Sequence, residues 1–266
     1  MCHDISFSAT TIELITDYLP NIVIDGQIDL DFPSSVHFLA QAHRKQPVVI
    51  FEDGQHKLKL FEWGLIADYM NTPEKIKQYR SSMVNARSEK VLEKQSAWFR
   101  LRKKRCLIPV TGIFEHRKIN GWKNKVPYHV KIANRSLFFL PGFYNYSPIP
   151  DIETGEVKGT FTFITRPANG LMKMIHNDGP NLHRMPLFMQ PEMALQWLDE
   201  KLTDEDIKKL LDFELPSEEL EAWPVFSIRT TKTRTDGKLK TEPFDWEGLP
   251  ELGNDNPLPD KQKSLF

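Results

Sequence analysis

Seven short apolar runs, rich in β-branched and aromatic residues and bounded by turn residues, do most to limit what this chain can fold into. They occupy residues 47–51, 58–63, 105–110, 113–116, 126–132, 137–140 and 160–165. Val, Ile, Phe, Tyr and Thr suit a pleated, half-buried surface, and runs of this length are strands rather than helices. Asp53-Gly54, Thr111-Gly112 and Asn134-Arg135 punctuate them as tight turns. Asp53-Gly54 in particular predicts a hairpin joining residues 47–51 to 58–63. Further strands are expected at residues 142–144, 187–189 and 223–228.

Helical spacing is confined to shorter stretches. Residues 10–18 put Ile12, Leu14, Ile15 and Leu19 on one side, and Pro20 stops them. Thr72-Pro73-Glu74 supplies a cap, a first-turn proline and an early carboxylate for a helix over 71–79. Residues 84–89 lead into a charged helix expected to end near Lys104, and residues 169–174, 191–198 and 204–211 are read as helices too. Many strands with few helices between them predict an α+β fold: a single domain of curved, mostly antiparallel, barrel-like sheet with flanking helices. That domain is expected to span residues 1–230, with a C-terminal extension over 231–252 and a disordered tail over 253–266.

Charge and cysteine usage narrow the function. A net charge of −1 excludes a protein that coats DNA through a global positive field. Residues 87–105 nevertheless carry eight basic side chains against two acidic ones, a local +6 that can follow a phosphate backbone. Only two cysteines occur, Cys2 and Cys106, so a disulfide scaffold is not expected and a reducing, cytoplasmic setting is. No apolar run approaches the roughly 20 residues of a membrane span, and no signal-type leader opens the chain. No spacing of Cys and His residues suits a metal, and no cofactor is expected.

Two residues stand out chemically. Once Met1 is trimmed, Cys2 presents an amine and a thiol on adjacent carbons, with ordinary pKa values near ~7.7–8.0 and ~8.5. An aldehyde meeting this 1,2-aminothiol can form an imine and then close onto sulfur as a thiazolidine. Glu115 lies in the apolar run Ile113-Phe114-Glu115, where a carboxylate must be paired, hydrogen-bonded or raised in pKa. Asn85, Arg87 and Glu89 alternate, so extended backbone there places all three on one side. Cys106 reads as a core residue.

Taken in order, Met1-Cys2, Trp63-Gly64, Asn85-Ala86-Arg87-Ser88-Glu89, Arg105-Cys106-Leu107-Ile108-Pro109 with Gly112-Ile113-Phe114-Glu115, and Ile175-His176-Asn177 with Arg184-Met185-Pro186 resemble the SRAP (SOS response-associated peptidase) family. The resemblance covers about residues 1–230 and implies a protein that captures abasic sites in single-stranded DNA covalently through its N-terminal Cys. It implies Cys2 as nucleophile, Asn85 as the group orienting the N-terminal group or the opened sugar, Glu115 as proton shuttle, and a histidine that contacts the sugar and phosphate or moves a second proton. His176 is preferred for that last role because it keeps the Ile-His-Asn context and its distance from Thr165; His183 is the second choice. Trp63, Arg87, Thr165 and Arg184 match the DNA-binding groove.

Two departures from the family pattern matter. His3-Asp4 replaces the usual Gly-Arg after the cysteine, and an insertion separates His176 from Arg184. The family name also admits a Cys-dependent peptidase or autoprotease, and the basic stretch admits a non-catalytic single-strand binder. The final Gln262-Lys263-Ser264-Leu265-Phe266 resembles peptides that dock on the bacterial sliding clamp through Gln262, Leu265 and Phe266. A monomer, associated with the nucleoid, is expected.

Overall fold

The computed structural model describes residues 2–7, 10–25, 36–230 and 234–256. Its strands are β1 (Asp4–Phe7), β2 (Val23–Ile24), β3 (Val36–Leu39), β4 (Lys45–Glu52), β5 (Gln55–Trp63), β6 (Asn85–Arg87) and β7 (Arg105–Val110). They continue as β8 (Gly112–Arg117), β9 (Val126–Ile132), β10 (Phe138–Tyr146), β11 (Gly159–Pro167), β12 (Arg184–Pro186) and β13 (Leu220–Pro224). Between them lie α1 (Thr10–Tyr18), α2 (Pro73–Tyr79), α3 (Ala97–Leu101), α4 (Gly170–Ile175), α5 (Pro191–Trp197) and α6 (Asp204–Asp212).

Five strands, in the order β11, β10, β7, β4 and β5, form a ring. Four of its joints are antiparallel, and parallel pairing of Thr160 with Glu62 and Phe161 with Trp63 closes it. Closure leaves no free edge in the ring, which is why a chain of short strands is stable here. Trp63, Cys106, Ile108, Phe143, Phe161 and Phe163 are fully buried. Gly142 is required where β10 passes between its neighbours, because a Cβ there would lie 2.0 Å from the Thr162 carbonyl oxygen. The predicted hairpin turns at Asp53 and Gly54, both with positive φ, the geometry of a type I′ turn.

A second, antiparallel sheet runs β13-β9-β8-β1-β3. Its outer face carries Phe114 and Trp223, covered by Val225 and Ile228 of the chain that follows β13. Farther along, residues 250–255 are fastened by Arg117, whose guanidinium donates to the carbonyls of Pro250, Glu251 and Asn254 and to Asp255. No helix among the described residues is long and apolar enough to cross a membrane.

Three expectations shift. The charged helix expected to end near Lys104 is instead β6, one turn of 3₁₀ helix (Ser88–Lys90) and the short α3, because residues 85–87 pair in parallel with β11. Ser96 starts α3 by accepting from the Trp98 N–H. The strand placed at 223–228 lies at β13, set by its register with β9. Residues 187–189 are not a strand: β12 precedes them, and Met189 makes only an isolated bridge to Phe139. The clamp-like peptide from Gln262 to Phe266 lies outside the described residues.

Candidate active site

β1 brings the start of the chain into the second sheet. Asp4 pairs with Phe114 and Ser6 with Gly112, so Cys2 runs past Phe114 toward Glu115 and His116. The thiol is fully buried, and it donates to the Asp4 carbonyl at 3.3 Å and lies 3.8 Å from that of Phe114. Burial pushes its pKa well above the ordinary value, and the nearby Glu115 charge pushes it further. The sequence leads to a thiol of ordinary acidity; instead burial holds the sulfur protonated at neutral pH.

Asn85 is placed by β6, whose partner β11 belongs to the barrel. Its Nδ2 donates to the Cys2 carbonyl at 2.8 Å, while its buried Oδ1 has no partner. Glu115 is 5% exposed. Its Oε1 accepts from the His116 N–H at 3.0 Å, and its buried Oε2 has no hydrogen-bond partner. Burial pushes its pKa up to about 7, against the opposing pull of that N–H. A carboxyl with one unsatisfied oxygen is expensive in an interior, which makes Glu115 a candidate for chemistry.

His176 caps α4 and turns its Nδ1 to the Arg184 carbonyl at 2.8 Å, with Glu115 Oε2 3.9 Å away. The Arg184 N–H lies 3.2 Å from the same Nδ1, so both backbone groups of Arg184 face this ring nitrogen. Burial lowers the His176 pKa to about 4, so the ring is neutral at pH 7. The insertion between His176 and Arg184 loops outward and returns, with the His183 N–H bonded to the His176 carbonyl at 2.9 Å. His183 itself is exposed, with positive φ, so the geometry groups His176 and not His183 with Glu115.

The remaining groove residues divide by depth. Arg87 is exposed and donates to Asn181 at 2.6 Å. Arg184 is nearly buried, paired with Glu89 and donating to the Thr165 carbonyl at 2.7 Å. Thr165 and Trp63 are fully buried and offer no surface to a ligand. They act from below: Thr165 Oγ1 donates to the Ala86 carbonyl at 3.3 Å, and Trp63 Nε1 donates to that of Val84 at 2.8 Å. Both therefore fix the segment that carries Asn85 and Arg87.

Glu115 and His176 open onto a cleft of about 360 Å³, shared with His3, His116, Lys125 and Arg229. Sequence reasoning missed Lys125, His116 and Arg229. Asp4 entered the sequence reading only through the His3-Asp4 departure; the structure buries it within β1. It is held by His37 Nε2 at 2.6 Å and by Arg229. Among the described residues no cluster of three or more His, Cys, Asp or Glu side chains could hold a metal.

A buried thiol stands close to an acid with a near-neutral pKa, and that acid and a neutral imidazole line one cleft beside a closed barrel, groups that can carry nucleophilic addition with proton transfer. Residues 9–228 match the family described as SOS response associated peptidase (SRAP), and the chain belongs to it. It is 34% identical to the abasic site processing protein YoqW of Bacillus subtilis over 182 residues, 68% of this chain and 75% of that one. It is 30% identical to the abasic site processing protein YoaM of Bacillus subtilis over 222 residues, 82% of this chain and 92% of that one. A crystal structure of a protein from Bacteroides thetaiotaomicron superposes with a TM-score of 0.72 at 28% identity, covering 91% of this chain and 97% of its own.

Proposed function

We propose that this protein captures abasic sites in single-stranded DNA as a covalent thiazolidine on Cys2, after removal of Met1, and so shields the lesion. The observation that carries the reading is the unpartnered Glu115 Oε2, on a carboxyl whose pKa is about 7, beside a buried Cys2 thiol. The abasic site processing relatives supply the substrate class.

The chemistry runs in two stages. The Cys2 amine adds to the open-chain aldehyde of the sugar, and the carbinolamine expels water to leave an imine. Sulfur then closes on the same carbon as its proton departs. One C–N bond and one C–S bond form, and one water leaves. Because burial keeps the thiol protonated, closure needs a base beside it, and expelling water needs an acid. A carboxyl half-ionised near pH 7 serves both steps, worth roughly 10²–10⁴-fold. Asn85, through its bond to the Cys2 carbonyl, orients the nucleophile, and the neutral His176 beside Glu115 carries the second proton. Arg87 and Arg184 hold the DNA backbone, while Trp63 and Thr165 support them.

Denaturing gels with abasic and intact single strands test this directly. The wild type should give a heat-stable adduct with the abasic strand alone, and Cys2→Ala and Cys2→Ser should give none. An adduct persisting in both variants refutes the assignment, and rapid cleavage of supplied peptides without any adduct favours a thiol hydrolase.

A further inference from the structure

Among the described residues eight arginines pair with carboxylates, and three of them, Arg117, Arg234 and Arg229, differ in where their surplus donors point. The Arg117 side chain is 0% exposed and that of Arg234 is 4% exposed, and both spend their remaining N–H groups on main-chain carbonyls. These two are structural. Arg229 pairs with Asp4 through Nε, at 3.2 Å, and through Nη2. The Asp4 side chain is 2% exposed, yet that of Arg229 is 48% exposed. Its Nη1 has no partner among the described residues, and the side chain lines the same cleft as Glu115 and His176.

Arg117 and Arg234 are covered while the side chains of their carboxylates, Asp255 and Asp236, are 36% and 41% exposed. At Arg229 the carboxylate is sunk and the guanidinium is presented. The two-point pairing fixes the fork, so little conformational freedom remains to be lost when the outward edge meets an anion. Lys125, the other strong cation in the cleft, already gives its Nζ to the exposed Asp178 at 2.8 Å. Arg229 follows β13 of the second sheet, whereas Arg87 stands on β6 beside the barrel. Arg87 bonds to Asn181 at the rim of the cleft that Arg229 lines, an arrangement that fits a strand crossing it with a phosphate on either side of the reacting sugar.

We propose that Arg229, preset by Asp4, is a phosphate anchor for the strand that carries the lesion. The proposal rests on the reading of the cleft as an abasic-site trap, so its test uses a probe that binds but cannot react. That probe is a fluorescent single strand with a central tetrahydrofuran residue, a closed abasic analogue without an aldehyde, followed by anisotropy across a salt series. Arg229→Gln should weaken binding about tenfold, the loss of one charge-assisted contact. The slope of log affinity against log salt should shrink by roughly 0.7, the value for one phosphate on a single strand.

A merely structural arginine would lower the melting temperature and leave that slope alone. If Arg229→Gln leaves Asp4 with His37 alone and does not fold, the double variant Asp4→Asn with Arg229→Gln removes both charges and is judged by the same criteria. Unchanged affinity and slope in a folded variant overturn the proposal even while the wild type still crosslinks abasic DNA. A wild type that neither binds the probe nor crosslinks overturns the trap reading, and this proposal with it.

Discussion

Glu115 is a side chain held in conflict with its surroundings. Burial without a full set of hydrogen bonds disfavours its charge, so the folded state binds this proton more tightly than the unfolded chain does. Stability is therefore full below the ordinary carboxyl value of about 4.5 and is lost as pH rises toward about 7. The gap is on the order of 3 kcal/mol. Glu115→Gln keeps the shape and removes the ionisation. Compared with wild type it should gain up to that amount between pH 5 and pH 8 in denaturant melts, while its crosslinking slows by roughly 10²-fold. Binding to the tetrahydrofuran strand should stay the same, and a variant that loses binding and crosslinking together would make Glu115 a structural residue. His176 has the opposite sign: its pKa is lowered to about 4, so its stabilising contribution is lost as pH falls below about 6.5, and the variant comparison cancels it. Glu115 was legible in the sequence because a carboxylate in an apolar strand is an anomaly. The buried thiol was not, since the position of a chain's first residues depends on the sheet they join. Neither was the pairing of Asp4 with Arg229, which joins residues 225 apart.

Among the elements, β6 decides whether these side chains meet. It has three residues and is held only on one side, by parallel pairing with β11. The indole of Trp63 adds the missing constraint by holding the Val84 carbonyl just ahead of Asn85. Trp63→Phe keeps an aromatic ring near Phe161 but leaves that buried carbonyl without its donor. A cost of about 2 kcal/mol is expected, a fall of about 4–8 °C in melting temperature for a chain of this size. Trp197→Phe is the informative comparison, because Trp197 also donates from a buried indole, at 3.1 Å to the Gly142 carbonyl, on the far side of β10 from β11. Both variants should lose stability, and only Trp63→Phe should also lose crosslinking. Equal crosslinking in the two would remove the positioning role of Trp63. Period-two apolar runs made the barrel strands legible, and the Asp53-Gly54 turn fixed one joint between them. β6 was hidden because a three-residue strand leaves no periodicity, and basic residues beyond it fit a solvated helix equally well. Parallel closure between β5 and β11 joins segments about a hundred residues apart, which no local pattern encodes.

At the scale of the whole molecule, the last described residues are tied to the loop that follows His176. Asp255 accepts from Arg117 at 3.0 Å and, through its other oxygen, from Asn177 Nδ2 at 2.9 Å. Asn177 follows His176 and also accepts from the Lys118 N–H at 2.8 Å, so this segment, β8 and the histidine share one network. Its centre, Arg117, is wholly buried and finds most of its acceptors in residues 250–255. Taking those acceptors away strands a charge in the interior, which typically costs about 3–5 kcal/mol. A chain ending at Leu249 should therefore melt well below one ending at Asn256, and it should crosslink more slowly because Asn177 is released. Adding Arg117→Met to the shorter chain removes the stranded charge and should restore most of the stability. It should not restore the crosslinking rate, because Asn177 still lacks Asp255. If the two truncations melt alike, residues 250–256 are an appendage; if Arg117→Met rescues both properties, the network stabilises the fold without positioning His176.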